Sequence, residues 1–201
     1  MRKYNYLAID AAGSSLTVVL HFNGKYYTFT EANLRRTSAV LLPSVSELLG
    51  QAGASLNDMD YFGVTIGPGS FTGIRVGLVT VKAWNYATKK PIIAVNSLKA
   101  LAYTSKSSSL CVIDGSNGVS YIAAYNNVGE ETLSPKCIYT KDLDKEVKSG
   151  YEVIYGEKVD SVESLWLAVE DGIAKNMFCD YTEVMPMYIR KSQPERGVGD
   201  I

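Results

Sequence analysis

The stretch Thr65-Ile66-Gly67-Pro68-Gly69-Ser70-Phe71-Thr72-Gly73-Ile74-Arg75-Val76-Gly77 constrains the fold more than any other part of the chain. It joins a short apolar strand, expected over Tyr61–Ile66, to a helix expected over Phe71–Thr88. Gly67 and Gly69 permit positive φ and a close approach of other atoms. Pro68 fixes one φ and removes a donor, and Ser70 suits the N-cap. A helix N-terminus behind such a turn offers free N–H groups and a partial positive charge to an anion. The same residues also make a plain strand-to-helix joint, since isolated glycine motifs are weak signals. At this level both readings stand.

The helix itself is unusual. One face carries Ile74, Leu78 and Val81, and another carries Gly73, Val76, Gly77, Thr80 and Trp84. Only Arg75, Lys82 and Lys89, spaced seven apart, make a thin charged stripe. A helix apolar nearly all round must be covered on more than one side. One side can pack on its own sheet; the other needs a cover from this chain or from a partner. Gly73 and Gly77 would let a second helix approach closely, by the small-residue spacing best known from membrane helices. A central helix of one domain and an interface helix fit this pattern equally.

The rest of the chain reads as strands and helices in alternating groups. Tyr4–Ile9 is a buried strand running into Asp10, Ala11–Ser14 is a turn, and Ser15–Phe22 and Lys25–Thr30 are strands joined by the hairpin signal Asn23-Gly24. Asp followed by small residues suits phosphate and metal in nucleotide-binding folds, and it suits an ordinary turn. A helix is expected over Thr37–Leu49, with Leu41, Val45, Leu48 and Leu49 on one face, Gly50 as its stop, and Pro43 imposing a kink or a late start. Strand Ile92–Val95 and a short helix Ser97–Tyr103, with Ser97 as its cap, close the first half, and the Ser/Lys-rich Ser105–Ser109 reads as a linker. The expected division is thus residues 1–104 and 105–201. Leu110–Ile113, Asp114, a small-residue turn and Ser120–Tyr125 then repeat the opening pattern, which points to an internal duplication. Thr132–Tyr139 and Glu152–Tyr155 read as strands and Asp142–Ser149 as a polar helix. Ser161–Lys175 is a helix capped by Asp160 and weakened near its end by Gly172, and the tail from Ser192 reads as disordered.

Composition excludes several functions. The 201 residues are 46% hydrophobic with a net charge of −1, enough for a sizeable core and without a global field for gripping RNA or an anionic membrane alone. Cys111, Cys137 and Cys179 are far apart and lack metal or disulfide spacing, which points to a reducing cytosol. No signal region opens the chain, and no apolar run approaches the ~20 residues that span a bilayer. The single histidine, His21, lies in a hairpin strand and reads as structural. No metal-spaced cluster, nucleophile elbow or Walker-type phosphate loop is present, so no catalytic residue and no metal site are assigned. Asp10 and Asp114 would form a paired-carboxylate cleft if the two halves face each other.

From Gly67 through Gly77 the sequence closely resembles the TsaB (YeaZ) family, bacterial partner subunits in the synthesis of threonylcarbamoyladenosine on tRNA. The likeness extends to Leu7-Ala8-Ile9-Asp10, Leu41-Leu42-Pro43, Pro91 to Asn96, Val112-Ile113-Asp114 and Pro186-Met187-Tyr188-Ile189-Arg190. It implies an α/β, actin-like ATPase (ASKHA, ribonuclease H-like) fold of two related halves. The catalytic paralogue, TsaD, follows its Val-Asn with His-x-x-x-His, which holds its metal. Here Val95-Asn96 is followed by Ser97 and, four residues on, Leu101, and neither replaces an imidazole. The resemblance therefore implies a catalytically silent sibling in the cytoplasm, with no cofactor of its own.

It further implies a heterodimer with TsaD through the first two helices, with Leu41, Val45, Gly73, Val76, Gly77, Thr80 and Trp84 in the seam. The ATPase TsaE is the third component, tRNA is reached through the complex, and an isolated chain would homodimerise. Asp10, Gly67, Gly69, Ser70 and Asp114 are the candidate positions for weak ATP or ADP binding. The alternative is an independent ATP-dependent phosphotransferase of the same fold using those residues. A peptidase is disfavoured, because metal ligands and a nucleophile–base pair are both missing. Arg35, Arg36, Arg190, Lys191 and Arg196 are either solvated charges or RNA contacts.

Overall fold

The computed structural model describes residues 4–32 and 37–190. Arg35, Arg36, Lys191, Arg196 and the tail from Ser192 lie outside the described residues. The described chain builds two sheets. The first has the strands β1 (Tyr6–Asp10), β2 (Ser15–Phe22), β3 (Lys25–Ala32), β4 (Tyr61–Gly67), β5 (Ile92–Asn96) and a short β10 (Phe178–Cys179), in the order β10-β5-β4-β1-β2-β3. The second has β6 (Ser109–Asp114), β7 (Val119–Tyr125), β8 (Glu131–Tyr139) and β9 (Glu152–Tyr155), in the order β8-β7-β6-β9.

The duplication is visible strand by strand. In each sheet a three-strand antiparallel meander is extended by a parallel strand on the far side of its first member, β4 beside β1 and β9 beside β6. Each first strand ends in aspartate, and each aspartate Oδ1 accepts from the backbone N–H two residues on. The distances are 2.9 Å for Ala12 to Asp10 and 3.0 Å for Ser116 to Asp114. An aspartate that folds the chain back on its own carboxylate is the local device behind both turns.

Alternation along β1 decides which helices cover the first sheet. Leu7 and Ile9 point to one face and pack with residues of α1 (Thr37–Ala52) and α2 (Phe71–Thr88). Tyr6 and Ala8 point to the other face and pack with residues of α4 (Ser161–Ala174). The connectivity of the helices crosses between the sheets. α3 (Ser97–Ala102) leaves the first sheet, yet Leu98 and Leu101 pack with Cys111, Tyr121 and Ile154 of the second. α4 leaves the second sheet and covers the first, and β10 then pairs antiparallel with β5. The change of sheet falls between Ala102 and Ser109, near the expected division at residue 104, but α4 and β10 return to the first sheet.

Three local expectations change. α1 passes through both Pro43, which is exposed, and Gly50, and stops at Gly53. There φ is +64° and the Ala54 N–H reaches the Leu49 carbonyl at 2.9 Å. The polar helix expected over Asp142–Ser149 is a 3-10 segment, Thr140–Lys145. Gly172 does not end α4 early: a Cβ there would lie 2.5 Å from Ile93 Cγ2, so the missing side chain lets the helix sit close on β5.

Candidate functional site

The two aspartate turns meet across a cavity of about 930 Å³ between the sheets. Asp10 and Asp114 both line it. Their environments differ. Asp10 accepts from the Thr65 hydroxyl at 2.7 Å and from the Ala12 N–H. Burial nevertheless dominates and raises its pKa above the usual carboxylate value, with those hydrogen bonds opposing. Asp114 is exposed at the opposite wall. Among the described residues no group of three or more His, Cys, Asp or Glu could hold a metal ion.

The Gly-Pro-Gly turn is latched onto the first aspartate turn. The Ser70 N–H donates to the Ala12 carbonyl at 2.8 Å, and a Cβ on Gly69 would lie 2.2 Å from that same oxygen. Ser70 caps α2 as expected, its Oγ accepting from the Gly73 N–H at 3.2 Å. Gly69 and Ser70 line the cavity. Gly67 does not: it is buried against the C-terminal segment, whose Met187 N–H donates to the Ile66 carbonyl at 2.7 Å.

The residues assigned to a partner seam have other work in this chain. Leu41, Val45 and Trp84 belong to the core on the first sheet, and the Trp84 ring lies 5.3 Å from that of Phe62. Gly73 abuts the Ala11 carbonyl, and a Cβ on Gly77 would lie 3.3 Å from Val64 Cγ2. Val76 is half-buried beside the same core, and Thr80 is half-buried with its hydroxyl donating to the Val76 carbonyl at 2.9 Å. The large apolar side chains that the two helices leave exposed are Leu42 of α1 and Val79 and Tyr86 of α2, at 55%, 68% and 62%. Val79 and Tyr86 are seven residues apart and so share one helix face.

The cavity wall also holds residues that local pattern did not reveal. Asn96, not Ser97, caps α3, its Oδ1 accepting from the Leu98 and Lys99 N–H groups at 2.9 and 3.2 Å. Ser97 and Leu101 are thereby turned to the cavity. Arg190, expected as a solvated charge or an RNA contact, is half-buried and lines the cavity with its Nε buried. It is carried there by a segment that Met187 and the Phe71–Tyr188 ring stack fasten to α2 and β4. No spacing rule links residue 190 to residue 97, which is why reading along the sequence does not bring them together. His21 is structural, as expected, packed between the rings of Tyr6 and Tyr26.

Two sheets of duplicated topology facing a shared cleft, each with an aspartate turn at its rim, define an α/β protein of the actin-like class. The family model described as "TsaD: tRNA N6-adenosine threonylcarbamoyltransferase" matches residues 31–186. The tRNA threonylcarbamoyladenosine biosynthesis protein TsaB of Escherichia coli is 31% identical over 149 residues, which cover 67% of this chain and 64% of that protein. Its Haemophilus influenzae counterpart is 31% identical over 102 residues, covering 51% and 43%. The chain thus spans less than two thirds of either curated relative's length. The structure of YeaZ from Pseudomonas aeruginosa superimposes with a TM-score of 0.78 at 21% identity, covering 92% of this chain and 99% of that one. The chain belongs to the TsaD family, in its TsaB (YeaZ) branch.

Proposed function

We propose that this chain is a non-catalytic scaffold subunit in tRNA threonylcarbamoyladenosine synthesis. It binds a TsaD-type catalytic subunit as a heterodimer and works with the TsaE ATPase in the cytoplasm. It meets tRNA through the complex, and supports transfer of the threonylcarbamoyl group to the adenosine beside the anticodon. The observation that carries this reading is the outward face of α1 and α2, where Leu42, Val79 and Tyr86 stay exposed after the inner faces have filled the core. Exposed apolar groups that share a helix face, as Val79 and Tyr86 do on α2, favour an interaction surface, and the same face supports self-association when the partner is absent. The silence of the site is supported by Ser97 and Leu101, a hydroxyl and an isobutyl group where the catalytic paralogue carries two imidazoles. Any metal then belongs to the partner.

The test is a Leu42→Glu, Val79→Asp double variant, scored by capture of TsaD and by mass spectrometry of modified nucleosides in tRNA. Binding should fall by about a hundredfold, equivalent to roughly 2.7 kcal/mol, with the melting temperature unchanged. Unaltered capture and unaltered modification would overturn the interface. That Asp10 and Asp114 line one cavity is what favours the alternative, an ATP-dependent phosphotransferase. Steady ATP turnover by the isolated chain would put that reading first.

A further inference from the structure

Two polar atoms in the cavity wall lack partners. Ser97 Oγ and Arg190 Nε are both buried, and neither is hydrogen-bonded to any described residue. Ser97 is 8% exposed, and both side chains line the cavity. Buried donors are nearly always paired, so unpaired ones need an explanation. Both residues line the same cavity, and both atoms can donate to an acceptor there. A guanidinium carries only donors and stays charged throughout the physiological range. It is the side chain best suited to an oxyanion, through charge-assisted bonds, and the serine hydroxyl can donate to the same group.

The remainder of the cavity limits what else the ligand can carry. Arg190 is the only lysine or arginine among its described lining residues, and it forms none of the salt bridges among the described residues. Three carboxylates, Asp10, Asp114 and Glu157, line the same space together with many hydroxyl groups. A polyphosphate chain would set several negative charges against those carboxylates with one cation to offset them. Neutral hydroxyl groups on the ligand would instead donate to the carboxylates and exchange hydrogen bonds with the serines.

We infer that the cleft binds a small polyhydroxylated molecule bearing a single oxyanion group, a carboxylate or a phosphate monoester, held by Arg190 and Ser97. This assignment is independent of the partner-binding reading, because it is tested on the isolated full chain. Calorimetric titration with ribose 5-phosphate, gluconate, ribose and magnesium ATP separates the cases. One of the two anionic probes should bind saturably and at least about tenfold tighter than ribose. Gluconate binding tighter assigns a carboxylate, and ribose 5-phosphate binding tighter assigns a phosphate. Arg190→Gln should weaken the better probe about tenfold or more, and Ser97→Ala about threefold to tenfold. If Arg190→Gln fails to fold by circular dichroism, Ser97→Ala decides alone. Unchanged affinity in a folded variant, no saturable binding of either anionic probe, or tighter binding of ribose or magnesium ATP would each overturn the assignment.

Discussion

Gly73 lies so close to Ala11 that a Cβ built on the glycine would stand 1.7 Å from the Ala11 carbonyl oxygen. The first turn of α2 is therefore pressed onto the backbone of the first aspartate turn. The obstacle is main chain, which cannot rotate away as a side-chain tip could. Gly73→Ala should lower stability by about 3 kcal/mol or more, at the upper end of overpacking costs, measured by urea unfolding. Gly50→Ala is the control. It lies in the last turn of α1 with nothing within 4 Å of the added methyl, and should raise stability by about 0.5–1 kcal/mol. Equal effects at the two positions would refute the packing explanation.

Asp10 provides a prediction with a definite sign in pH. Its folded pKa is raised above 3.8, chiefly by burial. The folded state therefore holds the proton more tightly than the unfolded state. Its contribution to stability is full at low pH and is lost as pH rises through the folded value. Asp10→Asn keeps an acceptor for Thr65 and Ala12 and removes the buried charge. The variant should be more stable than the parent at pH 7, and the difference should shrink towards zero as pH falls to the ordinary carboxylate value. Urea midpoints across that range check this, and a difference that grows on acidification would contradict it.

Asn85 ties the end of α2 to the segment that carries Arg190. It is buried, its Nδ2 donates to the Lys90 carbonyl at 2.7 Å, and its Oδ1 accepts from the Tyr181 N–H at 3.0 Å. Asn85→Ala leaves both backbone groups without that partner. The expected loss is about 2 kcal/mol or more, with faster hydrogen exchange at Tyr181. Exchange unchanged at Tyr181 would show that the segment holds without this bridge.

Cys111 should be the slowest of the three thiols to react. Burial pushes its pKa up to about 12, so almost no thiolate forms at pH 8. Cys137 and Cys179 are half-buried. Iodoacetamide labelling followed by peptide mapping should find Cys111 modified at least about tenfold more slowly than either, and at a comparable rate once urea has unfolded the chain. Fast labelling of native Cys111 would mean that the second sheet opens readily.

Local chemistry was legible wherever a short run of residues satisfies itself. The hairpin at Asn23-Gly24, the cap at Ser70, the cap at Asp160 and both aspartate turns are decided within a few residues, because their partners are neighbours in the chain. The repeated strand–aspartate–turn pattern likewise carried the duplication of the fold. What covers an apolar face is a different question, since periodicity shows that a face is buried but not against what. Only the tertiary structure decided that Gly73 and Gly77 accommodate Ala11 and Val64, that Gly172 lets α4 settle on β5, and that α3 and α4 each cross to the other sheet. The cavity pair follows the same logic. Ser97 and Arg190 lie 93 positions apart in sequence. They line one cavity because the C-terminal segment returns across the chain to bond β4, a long-range contact that no local propensity encodes.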